Sequence, residues 1–288
     1  MEPSTYLIWL YLRIEALFDD IVGDTRLRSR GPAPLLSDVE LLTAEIFAEF
    51  QGFDEDKHIW RYIRDHWKGW FPMIGSYKNF TKHSANLMII KNRLVERLCE
   101  PACEDTYFAV DGVPIRVCRF ARAKSCKLFP QEAAFGYCAA QKENYYGFRG
   151  VFVASDTGKI CAANLVPANC DERQALLDMP LKMQGHMLGD KGFIGKEFQK
   201  TLDEQYHIKM HTPLRSNMED TRPKALVKLI MNKRRYIETI IGKLVEQFSI
   251  AVVKARDIWH LSSRFYRKII AYNLAVDYFG GTQFKIKT

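Results

Sequence analysis

Three acids in this chain have the types and settings that metal-dependent phosphoryl transfer requires. Asp111 closes the apolar run YFAV, Asp190 follows Met187 and Leu188 between Gly189 and Gly192, and Glu238 lies inside a long helical pattern. Aspartate is short and suits a rigid strand end; glutamate is longer and can reach in from a helix. Such a trio suits Mg²⁺, a hard ion content with one or two carboxylates plus phosphate and water oxygens. Two such ions about 4 Å apart can activate an attacking oxygen and stabilise the leaving one. Each acid also has an ordinary reading. Asp111 with Gly112 is a hairpin-turn dipeptide, Asp190 a strand-to-loop turn, and Glu238, four residues after Arg234, half of a helix-surface ion pair.

The elements that must position these acids follow from hydrophobic periodicity. Residues 1 to about 100 read as helices. Tyr6, Leu7, Leu10, Ile14, Leu17 and Phe18 share one face, and Ser37 with Glu40 forms a capping box before DVELLTAEIFAEFQ. From about residue 106 the period changes. Residues 107–111 and 113–118 predict two strands joined by a tight turn at Asp111-Gly112, and the stretch to about 147 predicts a long basic loop. A hairpin turning at Asp156-Thr157-Gly158 follows, then a helix start with Asp171 in its first turn. After that come strand HMLGD, helix GKEFQKTLDEQYH, strand IKMHTP and a helix from Thr221 to about Phe248. Strands, then alternating helices and strands, predict a mixed α/β sheet covered by helices.

Composition narrows the setting. Of 288 residues, 47% are hydrophobic, with no apolar run long enough to span a membrane and no secretory leader. Seven scattered cysteines without a paired CxxC argue for reduced thiols in a cytoplasmic protein rather than a zinc site. His186, His207 and His211 read as structural or exposed, since Mg²⁺ prefers oxygen. The net charge of +8 favours a polyanionic partner. Two basic segments could track a phosphate backbone: one holds Arg116, Arg119, Arg122, Lys124 and Lys127 with Tyr137, Tyr145 and Tyr146 interleaved. The other contains Arg234 and Arg235, with Lys243 further along the helix. Lys191 lies beside Asp190.

The pieces YFAVDGVPIRVC, FGYCAAQKENYYGFRG, NLVPANCDER, MLGDKGFIG, KRRYIETIIGKL and IIAYNLA occur in an order and spacing that resembles the DDE transposases of bacterial insertion sequences, nearest to the insertion sequence 982 family. The resemblance covers about residues 104–279. It implies a ribonuclease-H-like core at 104–288, preceded by a helical domain at 1–103 with a DNA-binding or assembly role. It also implies a catalytic and metal-binding triad of Asp111, Asp190 and Glu238, and dependence on Mg²⁺ or Mn²⁺. The function implied is cleavage and strand transfer at terminal inverted repeats, with target DNA as second substrate, by a DNA-bound homodimer in the bacterial nucleoid. A ribonuclease-H-like nuclease without strand transfer, and a DNA-binding derivative that no longer transposes, are the competing expectations. The sequence departs from the tyrosine-arginine-glutamate-lysine signature of related transposases. Met231 and Val245 hold the tyrosine and lysine places, Arg234 keeps the arginine, and Lys243 stands near the lysine place. Gly112 follows Asp111 where a small hydroxyl residue is expected.

Overall fold

The computed structural model describes residues 2–28, 31–103, 105–214 and 222–284, with the Leu226 side chain left out. They form two compact units, one from residues 1–98 and 246–288, the other from 99–245. The sequence expectation is a single division at 103/104. The terminal segment, expected with the catalytic half, clusters instead with the N-terminal helices.

The first unit is helical: α1 (Pro3–Val22), α2 (Asp38–Phe50), α3 (Asp56–His66), α4 (Tyr77–Asn86), α5 (Met88–Leu98) and, from the far end of the chain, α9 (Ile258–Phe279). The expected capping box forms: the Glu40 amide donates to Ser37 Oγ at 3.1 Å and the Ser37 amide to Glu40 Oε2 at 2.7 Å. Helix α9 buries a nearly continuous run from Phe265 to Val276, except for Tyr266. That run includes Arg267, Lys268 and Asn273, so its charges must be matched inside. Arg267 donates to Glu49 at 2.6 Å and to Asp56 at 2.9 Å, Lys268 pairs with Glu49, and Lys91 reaches Glu45 at 2.6 Å. Lys91 also donates to the Ser84 and Ser263 hydroxyls. Glu45 and Glu49, one turn apart on α2, thereby tie α5 and α9 to the same helix face.

The second unit is built on a mixed sheet. Its strands are β1 (Tyr107–Arg116), β2 (Ala134–Cys138), β3 (Glu143–Ser155), β4 (Ile160–Pro167), β5 (Gly185–Leu188) and β6 (Ile208–His211), in the order β2-β3-β1-β5-β6 with β4 also on β3. β1 runs antiparallel to β3 and parallel to β5, and β5 parallel to β6. The β3–β4 hairpin turns at Gly158, whose φ of +95° favours glycine. Three helices accompany the sheet: α6 (Glu172–Leu177), α7 (Lys196–Tyr206) and α8 (Lys224–Glu246). Thr221, the expected cap of α8, lies outside the described residues.

Strand alternation divides the β1 side chains between two packing partners. Phe108 and Val110 enter a core with Val151, Val153, Leu176, Phe193 and Leu202, which seats α6 and α7. Tyr107 and Ala109 line the opposite side with Lys233, Tyr236, Ile237 and Ile240 of α8. This is the expected mixed sheet flanked by helices, with a helical region before it, and it is consistent with a ribonuclease-H-like fold.

Two local expectations are corrected. Asp111-Gly112 is not a turn: β1 runs straight through it, with Asp111 opposite Phe152 and Gly112 opposite Val151. β3 is long enough to pair β1 along its whole length, and this ladder outweighs the turn preference of the dipeptide. The expected loop before residue 147 contains a short 3-10 turn, Phe120–Ser125, and the edge strand β2.

The buried ion network gives a stability test. Arg267→Met removes the buried cation that Glu49 and Asp56 share, leaving Lys268 with the first and Arg264 with the second, and the expected loss is about 3 kcal/mol in urea unfolding. A loss below about 1 kcal/mol, the range of exposed pairs, would mean that water reaches the network.

Candidate active site

Asp111 lies mid-strand on β1, on the α8 side by alternation. β5, its parallel neighbour, ends at Leu188, and the chain then delivers Asp190 as the cap of a 3-10 turn at Lys191–Phe193. The Gly192 amide donates to Asp190 Oδ1 at 2.6 Å, and the Gly112 amide to Asp111 Oδ1 at 2.7 Å. On α8 the buried stripe of Ile230, Ile237, Ile240 and Leu244 faces the sheet, and Glu238 sits on the exposed side of that stripe. Arg234, one turn earlier, pairs with Glu238 at 3.5 Å.

These groups act on one another. Burial pushes the Asp111 carboxyl up to about 6; the charges of Asp190 and Glu238 add to the rise, while the Gly112 amide and the Arg234 guanidinium oppose it. The three acids expected from the sequence thus meet in one electrostatic neighbourhood, with Arg234 among them.

A fourth acid, not singled out from the sequence, joins them. Asp171 caps α6 by accepting from the Arg173 amide at 2.9 Å, and Glu172 is the first residue of that helix. Its carboxylate pairs with Arg149 of β3 at 3.4 Å. Burial raises the Glu172 carboxyl; Arg149 opposes the rise, and Asp190 and Asp111 add to it. The signal available was an acid at the first helical position after the antiparallel strands, inside the motif NLVPANCDER.

The donor set is oxygen only and suits a hard divalent ion. Among the described residues, however, no group of three His, Cys, Asp or Glu stands close enough to hold a metal. Each acid takes a local partner instead: an amide for Asp111 and Asp190, an arginine for Glu238 and Glu172. Crowded carboxylates fit a cation chemically, and their side chains must rotate from these partners to share one.

The expected DNA-contact residues separate into groups. Arg119, Arg122, Lys124 and Lys127 are exposed on or beside the 3-10 turn, and Tyr137 is exposed on β2. Lys191 and Arg235 are exposed, and Lys243 is half-buried on α8. Arg116 is engaged by Gln141 and Glu143. Tyr145 and Tyr146 are buried: the Tyr146 hydroxyl donates to the Phe129 carbonyl at 3.0 Å, and Arg116 lies over the Tyr145 ring. Their alternation with polar neighbours marked them as stacking residues, but β3 is covered on both faces there. His186 and His211 face each other at 2.9 Å across β5 and β6, and His207 ends α7 in the left-handed conformation.

Fold and site together define the class, a ribonuclease-H-like mixed α/β core with acids gathered around its central strands. Residues 102–258, more than half of the chain, match the family described as Transposase DDE domain, and the protein belongs to that family. Proteins of this family are transposase-type enzymes that act on DNA, and they generally use divalent metal ions. No curated protein matches the chain at a significant level. Among the described residues no helix is long and apolar enough to cross a membrane.

The raised Asp111 carboxyl has a signed consequence. It titrates near 6 in the folded protein and near about 3.9 in the unfolded chain. Its contribution to stability is therefore full below about pH 4 and is lost as pH rises through about 6. In metal-free buffer, Asp111→Asn is expected to stabilise the protein by about 2 kcal/mol at pH 7 and to change little at pH 4. Urea midpoints at the two pH values check this; equal shifts at both would refute it.

Proposed function

We propose that Asp111, Asp190 and Glu238 are the catalytic acids of a DDE transposase that cleaves DNA at its element ends and joins them to a target. The observation that carries this reading is Asp111 on the central strand β1. The charges of Asp190 and Glu238 both act on it, within a segment matched to the Transposase DDE domain. The six ordered motifs support the finer assignment to the insertion sequence 982 family.

A divalent cation, Mg²⁺ or Mn²⁺ and two ions in the full reaction, would supply Lewis-acid stabilisation of charge on the phosphate oxygens. The chain's own groups do the rest. Asp111 and Asp190, fixed by β1 and the turn after β5, offer their carboxylates from rigid backbone. Glu238 approaches from α8 on a longer side chain. Arg234 holds Glu238 and offsets charge at Asp111, and a phosphate arriving between them would meet its guanidinium.

The chemistry is two successive displacements at phosphorus. Water attacks the phosphodiester at the element end, one P–O bond forms as another breaks, and a 3′-hydroxyl leaves. That hydroxyl then displaces a second phosphodiester in target DNA. The exposed cations Arg119, Arg122, Lys124, Lys127, Lys191 and Arg235 would track the DNA backbone, and Tyr137 offers an exposed ring for an unstacked base. Two element ends held together require two copies of the chain, and the helical unit is the proposed place for DNA binding or assembly.

Asp190→Asn is expected to lower cleavage and joining of element ends by on the order of 100-fold or more, because several kcal/mol of charge stabilisation depend on it. Full activity of this variant would sink the triad assignment, and cleavage without joining in the wild type would make the protein a nuclease. Neutralising Lys124 and Lys127 together is expected to flatten the dependence of log K on log salt by about 2, and an unchanged slope would remove both from the DNA path.

A further inference from the structure

Among the described residues, the exposed aromatic rings of the second unit are Phe120, Phe135 and Tyr137, and all three line one hollow. They are 50%, 50% and 54% exposed. Apolar side chains scattered singly over a surface are ordinary, whereas a set gathered around a hollow marks a binding surface. The hollow measures about 440 Å³, the size of a small-ligand pocket.

The sheet edge builds it. β2 and β4 use the same edge of β3 in succession: Gly147 pairs with Ala134 of β2, and the next residue, Phe148, with Pro167 of β4. The hollow opens where one strand gives way to the other. A Cβ on Gly136 would stand 2.6 Å from the Ala168 carbonyl oxygen and 2.8 Å from the Ala168 Cβ, so only glycine lets β2 close against the end of β4. Phe135 and Tyr137, two residues apart on β2, project to one side of the strand. Phe120 meets Phe135 edge-on, with centroids 6.2 Å apart and planes at 89°, so these two rings do not stack on each other.

The polar groups define the occupant. Asn144 and Asn169, both exposed, bring carboxamides that donate and accept. Arg119, Arg122 and Lys124 are exposed on or beside the turn that carries Phe120, so the rim suits an anionic chain. Arg149 lines the hollow and also pairs with Glu172 at 3.4 Å, and Glu172 in turn feels the charges of Asp190 and Asp111. One arginine thus joins the hollow to the candidate site. Aromatic walls, hydrogen-bonding amides and a cationic rim together match a flat base carried on a phosphate backbone.

We propose that this hollow receives one unstacked base of the DNA bound at the neighbouring acids, its face against Phe135 and Tyr137 and its edge against Asn144 and Asn169. The inference rests on the DNA-cleaving reading above and adds to it a pocket for a single base.

The test is fluorescence anisotropy of the full chain with three labelled duplexes of one sequence. The first is fully paired, the second carries one bulged adenine, and the third has an abasic residue in place of that adenine. The bulge is common to the last two, so the ratio of their affinities isolates the base. The wild type is expected to favour the bulged adenine over the abasic bulge at least about fivefold, as stacking of one base on an aromatic ring provides. Phe135→Ala, Tyr137→Ala and Asn169→Ala are each expected to lower this ratio, and Tyr137→Phe, which keeps the ring, to retain it. Tyr137 lies exposed on an edge strand, so its variants serve if Phe135→Ala fails to fold. A wild-type ratio near one, with the paired duplex still bound, would overturn the proposal and leave the DNA-cleaving reading standing. An unchanged ratio in Phe135→Ala and Tyr137→Ala would overturn it too, because the base would then lie elsewhere. Failure to bind any of the three duplexes would bring down the proposed DNA path as well.

Discussion

Burial of a carboxylate on the central strand β1, with two further acids near it, is the constraint on which the second unit turns. Asp111 is partly withdrawn from water, and both Asp190 and Glu238 make its ionisation harder. A folded chain normally avoids such a cluster, because each charge is costly to desolvate and the neighbours offer no relief. Here the sheet forces it. β1 is locked to β3 along nine residue pairs and to β5 in parallel, so Asp111 cannot shift without breaking the ladder. Helix α8 is held by its buried stripe and cannot withdraw Glu238. The repulsion is therefore kept in place by the core, as expected of a site that stores unfavourable charge for a later partner.

The helical unit contains a second group of buried acids and shows what a purely structural solution looks like. Glu45, Glu49 and Asp56 are matched by Lys91, Arg264, Arg267 and Lys268, with every acid in an ion pair. The charges close among themselves, and the geometry fixes α2, α3, α5 and α9 together. Beside β1, four acids have two arginine partners between them, Arg149 with Glu172 and Arg234 with Glu238. Asp111 and Asp190 each accept a hydrogen bond from a backbone amide, and Arg234 also offsets the charge of Asp111. Both clusters are acidic and partly or wholly buried, and the difference lies in the surplus of negative charge. That surplus sets the acids beside β1 apart from the helical cluster, which supplies its own cations.

Much of this arrangement was legible in the sequence because it rests on short-range physics. The Ser37 cap, the Gly158 turn, the α7 and α8 periods and the strands around Met187 and Met210 are local patterns, and they formed as expected. What escaped is non-local. Asp111-Gly112 has the composition of a turn, and only pairing with the distant β3 keeps it extended. β2 is a five-residue edge strand with glycine at its centre, and its alternation becomes visible only beside β3. Tyr145 and Tyr146 carry no mark that distinguishes a stacking surface from a core. The partner helices of α9 lie more than 150 residues earlier in the chain, beyond any local pattern. Glu172 was passed over because a helix-start acid is commonplace. Its importance depends on where β1 and β5 deliver their own acids.

The glycines around the aspartates carry the final step. Beside Asp190 they suggest a turn, since glycine tolerates positive φ, but Gly112, Gly189 and Gly192 are not among the glycines with positive φ. An alanine could adopt their backbone conformations. What it would meet is crowding: a Cβ at 189 would stand 2.8 Å from the buried Phe193 ring, and at 112 or 192 it would push the ends of the Glu172 and Asp190 side chains aside. Phe193 is fully buried and anchors the turn that aims Asp190, so Gly189 lets the anchor come close. Gly112 and Gly192 keep open the volume between Glu172, Asp190 and the β1 backbone. Small residues there are needed for room rather than flexibility, and the room they keep is bounded by carboxylate oxygens.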